Sequence, residues 1–169
     1  TPITTRVLPL NRYDEVVAGV GRAIDKGARV YWVCPLVEDS EESDLAAATS
    51  RATELSQHFP GQVVLAHGRQ KGSERDAAME AFASGAASVL VATTVIEVGV
   101  DVPEASVIVI EHAERFGLAQ LHQLRGRVGR GTAASSCLLL YAEPLGEIAT
   151  ARLKIMRETE DGFLIAEED

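Results

Sequence analysis

The sequence predicts an α/β domain in which helices cover both faces of a mainly parallel β-sheet. Several short runs are apolar at almost every position, for example 29–34, 63–66 and 107–110. Strands without polar alternation are typical of sheets that are buried on both faces. Segments with helical periodicity separate these runs, as the crossovers between parallel strands require. The chain has 169 residues, 46% of them hydrophobic, which is enough for one domain with a sizeable core.

The individual elements are predicted from hydrophobic periodicity and turn residues. Lys26 and Gly27 end the first helix, because a cation followed by a glycine suits a helix C-terminus. Pro60–Gly61 and Asp161–Gly162 are predicted breaks, and the acidic run 38–44 is predicted to be a solvated linker. In chain order, the predicted elements are strand 3–10, helix 12–25, strand 29–34, helix 45–58, strand 63–66, helix 73–83, strand 88–92, strand 107–110, helix 120–130, strand 137–141 and helix 145–157.

Composition narrows the functional classes. The net charge is −9 at pH 7, which argues against a protein that coats nucleic acid with a broad basic surface. Any contact with nucleic acid must then be local or completed by another domain. Cys34 and Cys137 lie in apolar runs without metal-ligand spacing, so we expect buried, reduced thiols, no metal site and a cytoplasmic protein. No apolar run is long enough to span a membrane, and the sequence reads as a fragment of a longer protein.

The segment 120–130 departs from this acidic background. Read as one helix, it places four polar side chains on a narrow arc and three apolar ones on another side. The polar set is Gln120, Gln123, Arg127 and Arg130, and the apolar set is Leu121, Leu124 and Val128. Arg125 points away from the other two arginines and is excluded from this set. Gly126 and Gly129 cost about 1 kcal/mol each inside a helix, which indicates that a ligand or another backbone comes close.

Local charge identifies the class of ligand. The segment 115–142 carries four arginines and no acidic residue, so it contributes +4 and the remainder of the chain −13. A basic region on an acidic body needs an anionic partner, and guanidinium groups bind phosphate oxygens with paired N–H donors. We therefore expect this segment to bind phosphate.

Polar residues also follow several predicted strands, where ligands bind in parallel α/β sheets. Thr93 and Thr94 follow one strand, and Gly99 and Asp101 come shortly after, a pattern compatible with a plain turn or with a ribose site. His67–Gly68–Arg69 ends another strand before a helix that could hold a nucleic-acid phosphate, although a simple loop histidine would look the same. Glu111 also follows a strand, but the chain has no Gly-Lys dipeptide and hence no phosphate loop, so Glu111 is predicted to be structural.

Two of these stretches resemble helicase motifs. The segment 93–103, TTVIEVGVDVP, resembles motif V of superfamily 2 helicases, and 123–130, QLRGRVGR, resembles motif VI. The preceding run 115–123, RFGLAQLHQ, is similar to the RecG family and to transcription-repair coupling factors. The runs 29–36 and 152–157, with Asp161–Gly162–Phe163, favour the RecG family.

The resemblance implies a RecA-like, three-layer domain of the P-loop NTPase type that serves as the second motor lobe of an ATP-dependent helicase. Residues 1–145 would form this lobe, with motifs IV, V and VI. Residues 146–169 would begin a helical element that links the motor to duplex DNA. ATP and Mg²⁺ would be held mainly by a first lobe outside this sequence, so the chain alone would be inactive. The implied partners are branched or forked DNA and the N-terminal motor lobe and DNA-binding domain of the same protein, without a membrane.

The resemblance also implies roles for particular residues. Arg127 and Arg130 would be arginine fingers, and Gln123 would help to position the phosphates or couple the lobes. Gly99 and Asp101 would face the nucleotide. The positions that would face the DNA backbone are His67, Gly68, Arg69, Thr93 and Thr94.

Two other functions remain open at this stage. A transcription-repair coupling translocase shares the run 117–130. A non-catalytic nucleotide- or phosphate-binding domain could use residues 120–130, called the arginine segment below, as a docking surface. The family implied by the resemblance is bacterial, with a cytoplasmic location at the nucleoid.

Overall fold

A six-stranded, entirely parallel β-sheet forms the centre of the domain. The computed structural model describes residues 3–35, 41–68, 70–93, 105–129 and 134–158. The strands are β1 (Ile3–Pro9), β2 (Arg29–Cys34), β3 (Val63–Ala66), β4 (Val89–Thr93), β5 (Ala105–Ile110) and β6 (Ser135–Tyr141), in the spatial order β1-β6-β5-β2-β4-β3. Each pair of neighbours is parallel, so the carboxyl ends of all six strands meet at one edge.

Five α-helices cover both faces of the sheet in the described part of the domain. They are α1 (Tyr13–Asp25), α2 (Glu41–His58), α3 (Gly72–Ser84), α4 (Leu118–Arg125) and α5 (Glu147–Glu158). Val20 of α1 and Leu55 of α2 are buried in the core on one face. Phe82 of α3, Leu121 of α4 and Met156 of α5 are buried in the core on the other face. The predicted three-layer α/β architecture is therefore confirmed.

Burial explains where the strands begin and end. Every side chain of β4 and β5 is buried, as continuous apolar runs in a parallel sheet require. The prediction of a solvated linker over 38–44 is wrong for 41–44, because α2 begins at Glu41. Acidic residues suit the first turn of a helix, where the helix dipole is positive. Residues 38–40 of that run lie outside the described residues.

Helix α5 packs onto the same body as the sheet. Leu153 and Met156 are buried in the core beside α4 and β1. The assignment of residues 146–169 to an element that links a motor to DNA stays a prediction. None of the helices described combines the length and the apolar character needed to cross a membrane.

Candidate functional site

The carboxyl edge of the sheet brings together several predicted site residues. Thr93 is the last residue of β4, and His67 directly follows β3, which is paired with β4. Each of these two side chains is only 2% exposed. The Thr93 hydroxyl has no hydrogen-bond partner among the described residues. Both residues therefore occupy the predicted edge, but their side chains lie beneath its surface.

The loop after β3 exposes its backbone rather than its histidine side chain. The His67 backbone N–H donates to Gln70 Oε1 over 2.7 Å, and Gln70 Nε2 donates to the Leu65 carbonyl over 2.8 Å. Gly68, between these anchors, is exposed. Sequence analysis missed Gln70, whose amide closes this loop in a manner typical of a polar residue just after a strand. Arg69 lies outside the described residues.

The arginine segment differs from its prediction. Helix α4 ends at Arg125, and Arg127 lies in the turn that follows, with its N–H donating to the Leu124 carbonyl over 3.0 Å. Gly129 has φ = +80°, a left-handed conformation that glycine adopts without strain. The prediction of one continuous helix with Gln123 and Arg127 on the same arc is therefore wrong. Gly126 directly follows the last residue of α4, and the expected close approach of a ligand or another backbone stays a prediction.

Parts of that prediction are nevertheless confirmed. Leu121, Leu124 and Val128 are all buried, while Gln123 is exposed and Arg127 is half-buried. Arg127, in this turn, follows shortly after Gln123 in the sequence. The exposed side chain of Gln123 lies near the end of α4. Their guanidinium and amide groups can donate to phosphate oxygens. Arg130, the second predicted arginine finger, lies outside the described residues.

Arg125 is a structural residue, in agreement with its exclusion from the predicted phosphate site. Its side chain is buried, and Nη1 donates to the Met156 carbonyl over 2.6 Å and to Thr5 Oγ1 over 3.3 Å. Because it donates to the last turn of α5, this guanidinium also meets the negative end of that helix dipole. Arg125 thus joins α4, α5 and β1.

The most strongly connected polar group at the carboxyl edge is Glu111. Both of its carboxylate oxygens accept hydrogen bonds from Arg51 of α2: Oε2 from Nε over 3.1 Å and Oε1 from Nη2 over 2.5 Å. Trp32 Nε1 also donates to Oε2, over 3.0 Å, and the Cys34 sulfur lies 3.4 Å from the same atom. The expectation that Glu111 is structural agrees with these contacts. Arg51 was not among the predicted site residues.

The surroundings of Glu111 shift the pKa values of its neighbours. Burial opposes the charge on Arg51, but hydrogen bonds and the negative charge of Glu111 outweigh it, so the pKa of Arg51 is raised. Burial, reinforced by the Glu111 charge, raises the pKa of the Cys34 thiol well above its usual range. Burial also raises the pKa of Tyr13 to about 12, and the Arg51 guanidinium lies 4.4 Å from the centre of the Tyr13 ring. Cys34 is therefore a neutral, unreactive thiol at neutral pH.

An open cavity of about 290 Å³ adjoins this network. Its walls come from α2, from the end of β2 and from the residues after β5, including Ser50, Arg51, Glu54, His112 and Arg115. The cavity carries charges of both signs, which gives it no clear preference for anions.

The described residues include only part of the predicted nucleotide site. No group of His, Cys, Asp or Glu side chains in the described ranges could hold a metal ion. Arg127 and Gln123 supply donors suited to a phosphate, as the chemistry of guanidinium and amide groups allows. Thr94 and the predicted nucleotide contacts Gly99 and Asp101 lie outside the described residues.

Comparisons with known proteins agree with this architecture. The sequence matches the family described as "Helicase conserved C-terminal domain" over residues 13–132. It is 55% identical to the ATP-dependent DNA helicase RecG of Acidithiobacillus ferridurans over 170 residues, covering 100% of this chain and 25% of that protein. The RecG of Escherichia coli (strain K12) is 51% identical over 171 residues with the same coverage. The chain thus spans about a quarter of the length of these relatives.

Solved structures show the same likeness. The structure of RecG bound to a three-way DNA junction superposes with a TM-score of 0.83 at 42% identity, covering 99% of this chain and 22% of that one. The yeast protein Dbp5 bound to RNA and ADP BeF3 shares the fold alone, with a TM-score of 0.66 at 14% identity, covering 99% of this chain and 45% of that one. The RecA-like fold predicted from the sequence is therefore confirmed. Since the family match extends over most of the sequence, the chain belongs to the helicase conserved C-terminal domain family.

Proposed function

We propose that the chain is the second motor lobe of an ATP-dependent DNA helicase that remodels branched DNA and stalled replication forks in recombination and repair. The observation that carries the proposal is its similarity to RecG over the full length of the chain. The turn after α4, which places Arg127 at the end of the helix that bears Gln123, supports a role in phosphate chemistry.

In this function Arg127 and Arg130 are arginine fingers. A first lobe holds ATP and Mg²⁺ for phosphoryl transfer to water, and closure of the two lobes brings the guanidinium groups to the γ-phosphate. Charge shifts on the phosphate oxygens during transfer, and a fixed guanidinium stabilises that charge best in the transition state. Gln123 helps to orient the phosphates. Gly99 and Asp101 contact the nucleotide on the side of this lobe.

DNA lies at the carboxyl edge of the sheet. Gly68 is exposed there, and backbone N–H groups can bind phosphate without reading sequence. Because the His67 and Thr93 side chains are buried, they support the loops that contact DNA. Arg69 and Thr94 complete the contact. Weak binding by this lobe alone fits the net charge of −9, and the remaining contacts come from the other domains of the full-length protein.

Two alternatives predict different behaviour. A transcription-repair coupling translocase would share the run 117–130 and use the same arginine chemistry, but the relatives at 51–55% identity are named RecG. A non-catalytic phosphate-binding domain would bind nucleotide or phosphate without any loss of turnover when its arginines are replaced.

Replacement of Arg127 in the full-length protein that contains this chain tests the proposal. Arginine fingers contribute roughly 10³–10⁵ in rate, so Arg127→Ala and Arg130→Ala should nearly abolish DNA-stimulated ATPase and fork unwinding. Binding of a nucleotide analogue should change much less. Arg127→Lys should restore little, because lysine lacks the planar fork of donors.

The matched control is Arg22→Ala, which removes an exposed arginine from α1 and should leave turnover unchanged. Near-normal ATPase in both the Arg127 and Arg130 variants would rule out the arginine-finger role.

A further inference from the structure

The connection between β5 and α4 crosses the carboxyl edge of the sheet from one core to the other. Glu111 begins this connection on the side of α1 and α2, where it contacts Trp32 and Arg51. Ala113 and Phe116 are buried in the core on the opposite side. Helix α4 follows and ends just before Arg127. Any displacement of residues 111–117 is therefore passed to the arginine segment.

Hydrogen bonds hold this connection at its start and at its middle. Glu111 is fixed by the two-point contact with Arg51, and its N–H donates to the Val33 carbonyl over 2.9 Å. Glu114 accepts the Ala142 N–H over 3.1 Å, and its other carboxylate oxygen lies 3.1 Å from His112 Nδ1. His112 itself has φ = +51°, a conformation that costs a non-glycine residue about 1–3 kcal/mol. The anchors on either side must hold it there.

The described contact between Glu111 and α2 is the ion pair with Arg51. The open cavity of about 290 Å³ has Arg51 and Glu54 of α2 on one wall and Glu111, His112 and Arg115 on the other. Beside this cavity the Tyr13 ring lies 4.4 Å from the Arg51 guanidinium and contacts Trp32, which donates to Glu111. A buried ion pair contributes little more to stability than apolar residues of similar volume, although its geometry is well defined. Such a pair can fix the position of the connection relative to α2.

We infer that Arg51 and Glu111 form a positioning pair that sets the placement of α4 and hence of Arg127 during ATP hydrolysis. Neither residue touches the nucleotide in this proposal, which rests on the proposed function of Arg127. The pair also joins α2 to the segment that carries Arg127. Helix α2 follows β2, and the end of β2 lies beside Thr93 of β4. Through the pair, the edge where DNA lies is connected to the arginine segment.

The test uses the full-length protein and the double variant Arg51→Met with Glu111→Gln. This double change removes the ion pair without leaving a buried charge unpaired, because Glu54, which also loses its contact with Arg51, has a side chain that is 46% exposed. The glutamine oxygen can still accept from Trp32. We expect kcat of the DNA-stimulated ATPase to fall about 10–100-fold, the range expected when a catalytic group is misplaced by about 1 Å. KM for ATP should change less than about threefold, since the groups that bind ground-state nucleotide are untouched.

Two controls separate placement from stability. Glu54→Gln removes the other carboxylate that pairs with Arg51, at 2.9 Å, without touching β5, and should leave kcat within about twofold. Val109→Ala weakens the buried core of β5 without touching the pair. Its kcat, measured at a temperature where circular dichroism shows a folded protein, should stay near the original value.

The outcomes are distinct. A kcat within about twofold of the original in the double variant, while Arg127→Ala is inactive, overturns the positioning role and leaves the proposed function intact. A loss of kcat in Val109→Ala that parallels its loss of stability also overturns it, because any destabilisation would then suffice. If Arg127→Ala itself retains turnover, the proposed function fails first.

Discussion

Replacement of Arg125 by methionine tests whether the arginine segment is anchored to the C-terminal helix by a buried charge. Arg125 is 2% exposed, and its guanidinium donates to the Met156 carbonyl over 2.6 Å and to Thr5 Oγ1 over 3.3 Å. Met156 lies in the last turn of α5, where helix carbonyls have no donor within the helix. Methionine is close to arginine in length and fills the space with flexible apolar atoms, so Arg125→Met removes chiefly the donors.

The expected loss follows from these contacts. A hydrogen bond from a charged donor contributes about 1.5–3 kcal/mol, and a buried carbonyl left without a partner costs about 1–3 kcal/mol. The longer contact with Thr5 adds little. The two energies given above describe the loss of the same contact and do not add. The free energy of unfolding should therefore fall by about 2–3 kcal/mol, compared with the roughly 5–15 kcal/mol typical of a domain.

Urea denaturation of the 169-residue chain, followed by far-ultraviolet circular dichroism, measures this loss. The control Arg22→Met makes the same chemical change on the exposed surface of α1 and should shift stability by less than about 0.5 kcal/mol. A loss below about 1 kcal/mol for Arg125→Met would refute the reasoning. It would mean that water or another group satisfies the α5 carbonyl as well as the guanidinium does.

Three further predictions concern the isolated chain. It should fold but show no DNA-stimulated ATPase, because the phosphate loop is absent from its sequence; turnover not traced to a contaminant would contradict this. With a net charge of −9, it should bind DNA weakly and with a shallow dependence on salt, and a titration with a slope of many counterions would reveal an unrecognised basic surface. Burial raises the pKa of Cys137 from 9.0 to about 12, so its contribution to stability should be constant below pH 9 and decline as pH rises towards 12. By pH 10.5 the difference in free energy of unfolding between the original chain and Cys137→Ala should have narrowed by about 2 kcal/mol, which urea denaturation at each pH measures. Parallel curves of unfolding free energy against pH for the two proteins would contradict the raised pKa.

The strands were predictable because a strand that is buried on both faces has apolar residues at almost every position. The bounds predicted for 29–34 and 63–66 coincide with β2 and β3. Each is a continuous apolar run closed by a polar residue or proline. The helix faces were also predictable, since Leu121 and Leu124 are buried as their spacing indicates.

The end of α4 was not predictable from the same periodicity. Val128 continues the apolar spacing of the helix and is buried, yet it lies beyond the helix in a turn. Two glycines decide the outcome: Gly126 follows the last helical residue, and Gly129 adopts a left-handed conformation. Both a helix and a turn can place an apolar side chain in the core, so burial of a residue does not show which of the two contains it.

The buried ionic contacts were beyond sequence reasoning for another reason. Arg51 and Glu111 are 60 positions apart, and Arg125 and Met156 are 31 apart. No local pattern links such pairs, because the sheet order that brings them together is itself a tertiary result.

The position of Arg125 also alters the electrostatic argument that pointed to phosphate. Counted along the sequence, the segment 115–142 carries +4, but one of those charges, on Arg125, is buried and donates to the Met156 carbonyl of α5. Among the described residues of this segment, Arg115 is exposed and Arg127 half-buried. The field at the surface is thus weaker than the count indicates, and attraction at long range contributes less to recognition of phosphate. Recognition then depends on where Arg127 is placed, and this is the property that the contact between Arg51 and Glu111 is proposed to control.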